Sequence, residues 1–210
     1  MSLKHLALFA LALAAPAMAQ TDAPQGVPAA ETPRPVTVKV TLTTSQGAIV
    51  VEVEKERAPI TAANFLRYVD QKRLDGVTFY RVINQGGDFG LVQGGVSNDP
   101  KRVLKAIAHE PTSKTGLSHV DGAISMARGA PGSASGDFFI TVGRIESFDA
   151  HPENPGDNLG YAVFGRVVEG MDVIRKILIE PTSPTAGAAA GMQGQMLVTP
   201  VKILTARRAN

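Results

Sequence analysis

The 210-residue sequence predicts a closed antiparallel β-barrel with helices capping its ends. Three observations predict it. Short apolar runs separated by stretches containing Gly, Pro, Asn or Asp recur along the chain, at 36–44, 48–54, 77–83, 91–96, 123–127, 137–142, 162–168 and 195–204. The first two alternate apolar and polar residues, the period of a half-buried strand. Helical spacing is confined to two stretches far apart, which leaves the strands to close on one another.

Taken in order, the chain opens with "MSLKHLALFALALAAPAMAQ". Lys4 and His5 precede an apolar run from Leu6 to Ala15, and Ala17-Met18-Ala19 gives the small-x-small pattern of a signal peptidase site. Ten apolar residues fall short of the roughly 20 that a spanning helix needs, so the expectation is export with cleavage after Ala19 and no stable membrane insertion. Residues 20–35 are rich in Pro and Ala without periodicity and read as a flexible tether. The domain proper is expected over 36–210.

Within it, Val36, Val38, Val40 and Leu42 share one face of the first strand, and Ile49, Val51 and Val53 one face of the second; "TSQG" turns between them. Pro59 suits a first helical turn, after which Phe65, Leu66 and Val69 line one face as far as the stop signal Asp75-Gly76. "EGMDVIRKIL" (169–178) is a second helix, "TSPTAGAAAGMQG" (182–194) a surface loop, and "ARRAN" a short solvated basic tail.

Composition and motifs exclude several chemistries. No cysteine is present, which removes thiol catalysis and thiolate metal sites and fits an exported protein that relies on its core. Loss of the leader takes away Lys4 and no acid, lowering the formal charge from +2 to +1, no footprint for nucleic acid. No Gly-Lys pair exists to build a phosphate loop, and the centre of "GSASG" (132–136) is Ala134 where a nucleophile elbow needs serine. Ser133 and Ser135 read as loop residues. Asp149, His151, Glu153 and Asp157 match no standard ligand spacing, and His109 and His119 sit among turn residues without an obvious partner. No cofactor is implied.

What remains is Arg81 beside aromatics, in "FYRVINQGGDFGLVQGGV" (79–96). Taken alone, it is either a structural ion pair with Asp88 or Asp137 or a functional cation. One reaction needs a cation and no nucleophile. Rotation about a peptide bond faces a barrier of about 18–20 kcal/mol held up by conjugation, and at Xaa-Pro bonds both isomers are populated. A fixed guanidinium donating to the prolyl nitrogen draws its lone pair out of conjugation, while an apolar pocket holds the ring.

"LDGVTFYRVI", "LVQGG", "GAISMARGAPGSASGDFFI" and "YAVFGRVVEGMDVI" resemble, in order and approximate spacing, the signature blocks of the cyclophilins, peptidyl-prolyl cis-trans isomerases. The resemblance runs from about residue 37 to 206. It implies an eight-stranded antiparallel barrel with two capping helices, assistance to protein folding and proline-containing polypeptide segments as partners; a monomer is the expectation for the chain. It implies Arg81 as the catalytic arginine and Gln93 as the glutamine that orients it and bonds substrate backbone. Leu91, Phe139, Phe148 and Tyr161 fall at proline-pocket positions, and Arg128 and Gly129 on the segment that pairs with substrate main chain. Phe79, Phe138 and Phe164 are expected in the barrel core. Tyr80 replaces the family's histidine, Asp137 a glutamine, and Ser147 a cyclosporin-contacting tryptophan. About four extra residues separate Arg81 from Gln93, so the family's pocket phenylalanine has Phe89 as its candidate, with Gly90 in the literal frame. The altered loop at 84–92 keeps a non-catalytic proline-binding module open as the alternative.

Overall fold

The structure, a computed structural model, describes residues 36–97 and 99–209. The expected leader and tether lie outside these residues.

Eight strands form a closed barrel: β1 (Thr37–Thr44), β2 (Gly47–Glu54), β3 (Thr78–Asn84), β4 (Gly90–Gly95), β5 (Ala123–Met126), β6 (Asp137–Val142), β7 (Ala162–Glu169) and β8 (Met196–Arg208). They neighbour in the order β1-β2-β7-β5-β6-β4-β3-β8, every pair antiparallel, and β8 closes on β1. Alternation explains the interior: Val40, Leu42, Ile49, Val51 and Val53 point inward and are fully buried. They meet Phe79, Phe138 and Phe164, the three phenylalanines expected in the core.

Helix α1 (Pro59–Asp70) follows β2, and α3 (Met171–Leu178) follows β7. Because β2 and β7 are antiparallel, these helices leave from opposite ends of the barrel. Phe65 of α1 plugs one end, its ring 5.6 Å from Phe138 and 5.0 Å from Phe164. Val173, Ile174, Ile177 and Leu178 of α3 close the other. A third helical turn, α2 (Thr112–Thr115), is too short to carry apolar periodicity and was invisible in the pattern.

The N-terminus of α1 lacks a side-chain cap of its own. A distant acid replaces it. Buried Glu110 accepts from the Thr61 N–H and from the Thr61 hydroxyl, both at 2.7 Å, which satisfies an orphan donor and places negative charge at the positive end of the helix.

At its other end α1 stops at Asp70, five residues before the expected Asp75. Lys72 adopts a left-handed conformation (φ 54°), and the N–H groups of Lys72 and Arg73 bond back to the carbonyls of Val69 and Tyr68. This is a Schellman closure with lysine where glycine is usual. The basic tail also differs from expectation: Arg207 and Arg208 belong to β8, and they clamp Asp75 and Asp70 at 2.7 Å.

Candidate active site

The site begins with a fault in a strand. The ladders of β3 with both β4 and β8 shift register between Phe79 and Arg81, so Tyr80 is the extra residue of a bulge. Strict alternation would send Arg81 inward with Phe79. The bulge instead keeps Phe79 and Val82 in the core and turns Arg81 onto the outer face.

The second Gln-Gly-Gly serves this geometry. A Cβ on Gly94 would sit 2.7 Å from the Phe79 ring, and one on Gly95 would sit 2.5 Å from the Gly136 carbonyl, so β4 can approach its neighbours only without side chains there. The first copy does something else. Gly86 and Gly87 have positive φ and open space around them, as an exposed turn requires.

Arg81 is held by amides. Gln93 Oε1 accepts from Nη1 at 2.8 Å, and Gln195 Oε1 accepts from Nε at 2.8 Å and from Nη2 at 2.6 Å. Three of the five guanidinium N–H groups are thereby spent, leaving one on each terminal nitrogen. Among the described residues no carboxylate pairs with Arg81. Asp137 instead accepts from the Ser97 N–H at 2.7 Å, and Asp88 lies 3.8 Å from Arg175. Burial pulls Arg81 below its ordinary value, but a guanidinium starts so high that it stays cationic at neutral pH. The Gln93 amide is fixed in turn, since its Nε2 donates to the Tyr80 hydroxyl at 2.9 Å. Burial, and after it the charge of Asp137, push Tyr80 up to about 12, so it serves as a neutral hydroxyl.

Beside the guanidinium lies a cleft of about 350 Å³. Its apolar wall is a cup of three rings: Phe139 stands edge-on to Phe148 (5.7 Å) and to Tyr161 (5.3 Å), which are 5.0 Å from each other. Leu91 and Ile83 extend this wall, and Arg128, Gly129 and Asp137 stand on the polar side. The Arg128 side chain is committed within the protein. It bonds Gly160 O at 2.8 Å and Gly129 O at 2.9 Å, pairs with Asp157 and lies 5.4 Å from the Tyr161 ring centre.

The cup rests on a network that sequence reading missed. His119, fully buried, stacks on Phe139 at 5.8 Å. Its Nδ1 lies 2.6 Å from Asp149 Oδ1 and its Nε2 lies 3.0 Å from the Ser125 hydroxyl. Burial outweighs the pull of Asp149 and holds the imidazole below its ordinary value, so the ring is neutral, with Nδ1–H donating and Nε2 accepting. These distances suit a Ser-His-Asp relay, but Ser125 is fully buried and can attack nothing. Ser133 is a turn residue: its hydroxyl donates to Ala130 O and accepts from the Gly129 N–H.

Arg81, Gln93, Leu91, Arg128, Gly129, Phe139, Phe148 and Tyr161 therefore surround one cleft. Phe89 does not. The Gln85 N–H bonds Phe89 O and closes an enlarged hairpin loop, which turns the Phe89 ring onto Gly143. Gly90 (φ +152°) cannot replace it, because a Cβ there would fall 1.9 Å from the Ile83 carbonyl. The cleft has no phenylalanine from this loop. Two of its features come from the expected surface loop and its exit instead: Met192 joins the wall, and Gln195 anchors Arg81.

Comparison with known proteins agrees with this geometry. The family model described as "Cyclophilin type peptidyl-prolyl cis-trans isomerase/CLD" matches residues 39–207. A peptidyl-prolyl cis-trans isomerase of Acinetobacter baylyi is 35% identical over 167 residues, covering 79% of this chain and 82% of that protein. One from Streptomyces antibioticus is 40% identical over 151 residues (70% and 87%), and peptidyl-prolyl cis-trans isomerase B of Escherichia coli 36% over 162 (74% and 88%). The crystal structure of a Cryptosporidium parvum cyclophilin superposes with a TM-score of 0.67 at 17% identity, covering 83% of this chain and 99% of that one, a likeness of fold. Barrel, cleft and kinship converge: the chain belongs to the cyclophilin-type peptidyl-prolyl cis-trans isomerases.

Proposed function

We propose that the cleft accelerates rotation about Xaa-Pro bonds in exported polypeptides and so assists their folding. The proline ring enters the cup of Phe139, Phe148, Tyr161 and Leu91. There the two uncommitted N–H groups of Arg81 reach the prolyl nitrogen. Donation to that nitrogen is strongest when its lone pair has left conjugation, so the interaction favours the twisted state over both planar ones, and only such differential binding speeds the exchange. The observation that carries this reading is the way Arg81 is held: two amide oxygens fix it and no carboxylate among the described residues neutralises it.

Export to a periplasm-like space rests on the Lys4 to Ala19 leader pattern. A mature protein recovered from the periplasmic fraction should begin at Gln20. The monomeric state rests on the scatter of exposed apolar side chains such as Ile60 on α1, Val120 before β5 and Ile179 after α3, and light scattering of the purified protein checks it.

The deciding experiment is cis-to-trans exchange of an Ala-Pro-Phe peptide. Native protein should accelerate it, and Arg81→Ala should reduce kcat/KM on the order of 10²-fold, as loss of a transition-state donor does. No acceleration by folded native protein would leave a barrel that binds proline segments without turning them over.

A further inference from the structure

A second cavity adjoins the cleft. It measures about 180 Å³, and Ile83, Leu91 and Phe148 line both. Ile145 and Phe89, the residue that the enlarged hairpin loop removes from the cleft, complete its apolar wall. Gln85, Arg144, Glu146 and Ser147 form a polar rim, and Ser147 is exposed, so the cavity opens to solvent. Phe89 is not loose. Its ring occupies the space over Gly143, where a Cβ would come within 2.7 Å of it.

We infer that this cavity is a substrate subsite that takes one apolar side chain of the polypeptide whose proline occupies the cleft, an inference that rests on the isomerase reading above. Strand register fixes where such a side chain must lie. Asp137 pairs with Gly95, Phe139 with Gln93 and Thr141 with Leu91, so the rows advance along β6 and β4 from the Ala127–Gly129 side of the cleft towards the hairpin loop. Leu91 is two residues beyond Gln93, roughly 7 Å of extended chain. A polypeptide passing Ala127–Gly129 and placing proline by Gln93 thus presents the second cavity with a side chain one or two residues beyond the proline. The size is adequate, since a dry apolar cavity of about 150 Å³ accommodates benzene. Leucine, methionine and phenylalanine fit an apolar floor of this kind, and a charged side chain would be desolvated against Ile83, Leu91 and Phe89.

The test uses two peptide series on the mature protein, with Ala, Leu, Phe, Glu or Lys varied before the proline in one and after it in the other. At one of these positions kcat/KM for exchange should rise about tenfold from Ala to Phe or Leu. Ser147→Trp, which fills the cavity from its exposed rim, should bring the Phe-to-Ala ratio to about one. Phe89→Ala, which removes a wall, should lower the same ratio. A native enzyme indifferent to the side chain at every position, or a ratio that survives Ser147→Trp in folded protein, overturns the subsite. If the native protein accelerates no peptide, the isomerase reading fails by itself. The same series is then titrated for binding by NMR, where tighter binding of the Phe peptide that Ser147→Trp abolishes upholds the subsite and equal binding overturns it.

Discussion

Gln195 makes two of the three hydrogen bonds that hold Arg81, yet it lies outside the cleft and touches the reaction only through that arginine. Gln195→Ala removes the acceptors for Nε and Nη2 and leaves the guanidinium tied to Gln93 alone. Hydrogen bonds to charged groups are worth about 1.5–3 kcal/mol each. The site is half-buried, so water replaces both at a discount, and about 1–2 kcal/mol of positioning is lost. That corresponds to a fall of about 5- to 30-fold in the rate. Exchange kinetics over a range of peptide concentrations should place the loss in kcat, because the proline cup is untouched. Folding is not at risk: the backbone of Gln195 stays anchored, its carbonyl accepting from the Val82 N–H and its own N–H bonding Met192 O. Gln195→Glu restores both acceptors but opposes the charge on Arg81, so it should recover position without recovering the rate. Activity of Gln195→Ala within twofold of native, or a loss confined to KM, would refute the assignment of Gln195 as the clamp.

Glu110→Ala leaves the Thr61 N–H and hydroxyl without their buried acceptor, and should cost about 2 kcal/mol, read as a Tm lower by about 4–8 °C; an unchanged Tm would show that water or another group caps α1. Lys72→Gly relieves a left-handed lysine and should raise stability by about 0.5–1 kcal/mol in urea titrations, whereas a loss would mean that the Lys72 side chain contributes more than its backbone costs. His119 is held below its ordinary value chiefly by burial, so between that lowered value and about 6.5 the unfolded chain binds the extra proton. Its contribution is therefore complete above about pH 6.5 and declines as pH falls; urea stability measured from pH 7.5 to 5 should decline more steeply for native protein than for His119→Gln, and equal slopes would contradict the neutral assignment. Ser147 offers cyclosporin no indole, so inhibition of the purified protein should require more than submicromolar drug.

The barrel was legible because burial repeats every second residue: the runs at 36–44, 77–83 and 91–96 became Thr37–Thr44, Thr78–Asn84 and Gly90–Gly95. Local pattern failed where a distant partner decides. Arg207 and Arg208 read as a tail because their strand is defined by β1, and by Asp75 and Asp70 across the fold. His119 has no partner legible in the sequence, because Asp149 lies 30 residues away and no spacing marks Ser125 as the other end of a buried network. Gln195 stands 114 residues from Arg81, behind a low-complexity stretch with no periodicity to mark it. Phe89 is the opposite case, a residue whose type suited the cleft but whose loop geometry sent it elsewhere. Most residues that line the cleft came through in short motifs, because a cleft needs particular side chains at particular strand positions. Residues that hold those side chains did not, because any amide or carboxylate that reaches the right point will serve. The structure therefore adds most at the clamp, the histidine network and the neighbouring cavity, where activity in this chain is open to adjustment without altering Arg81 or the ring cup.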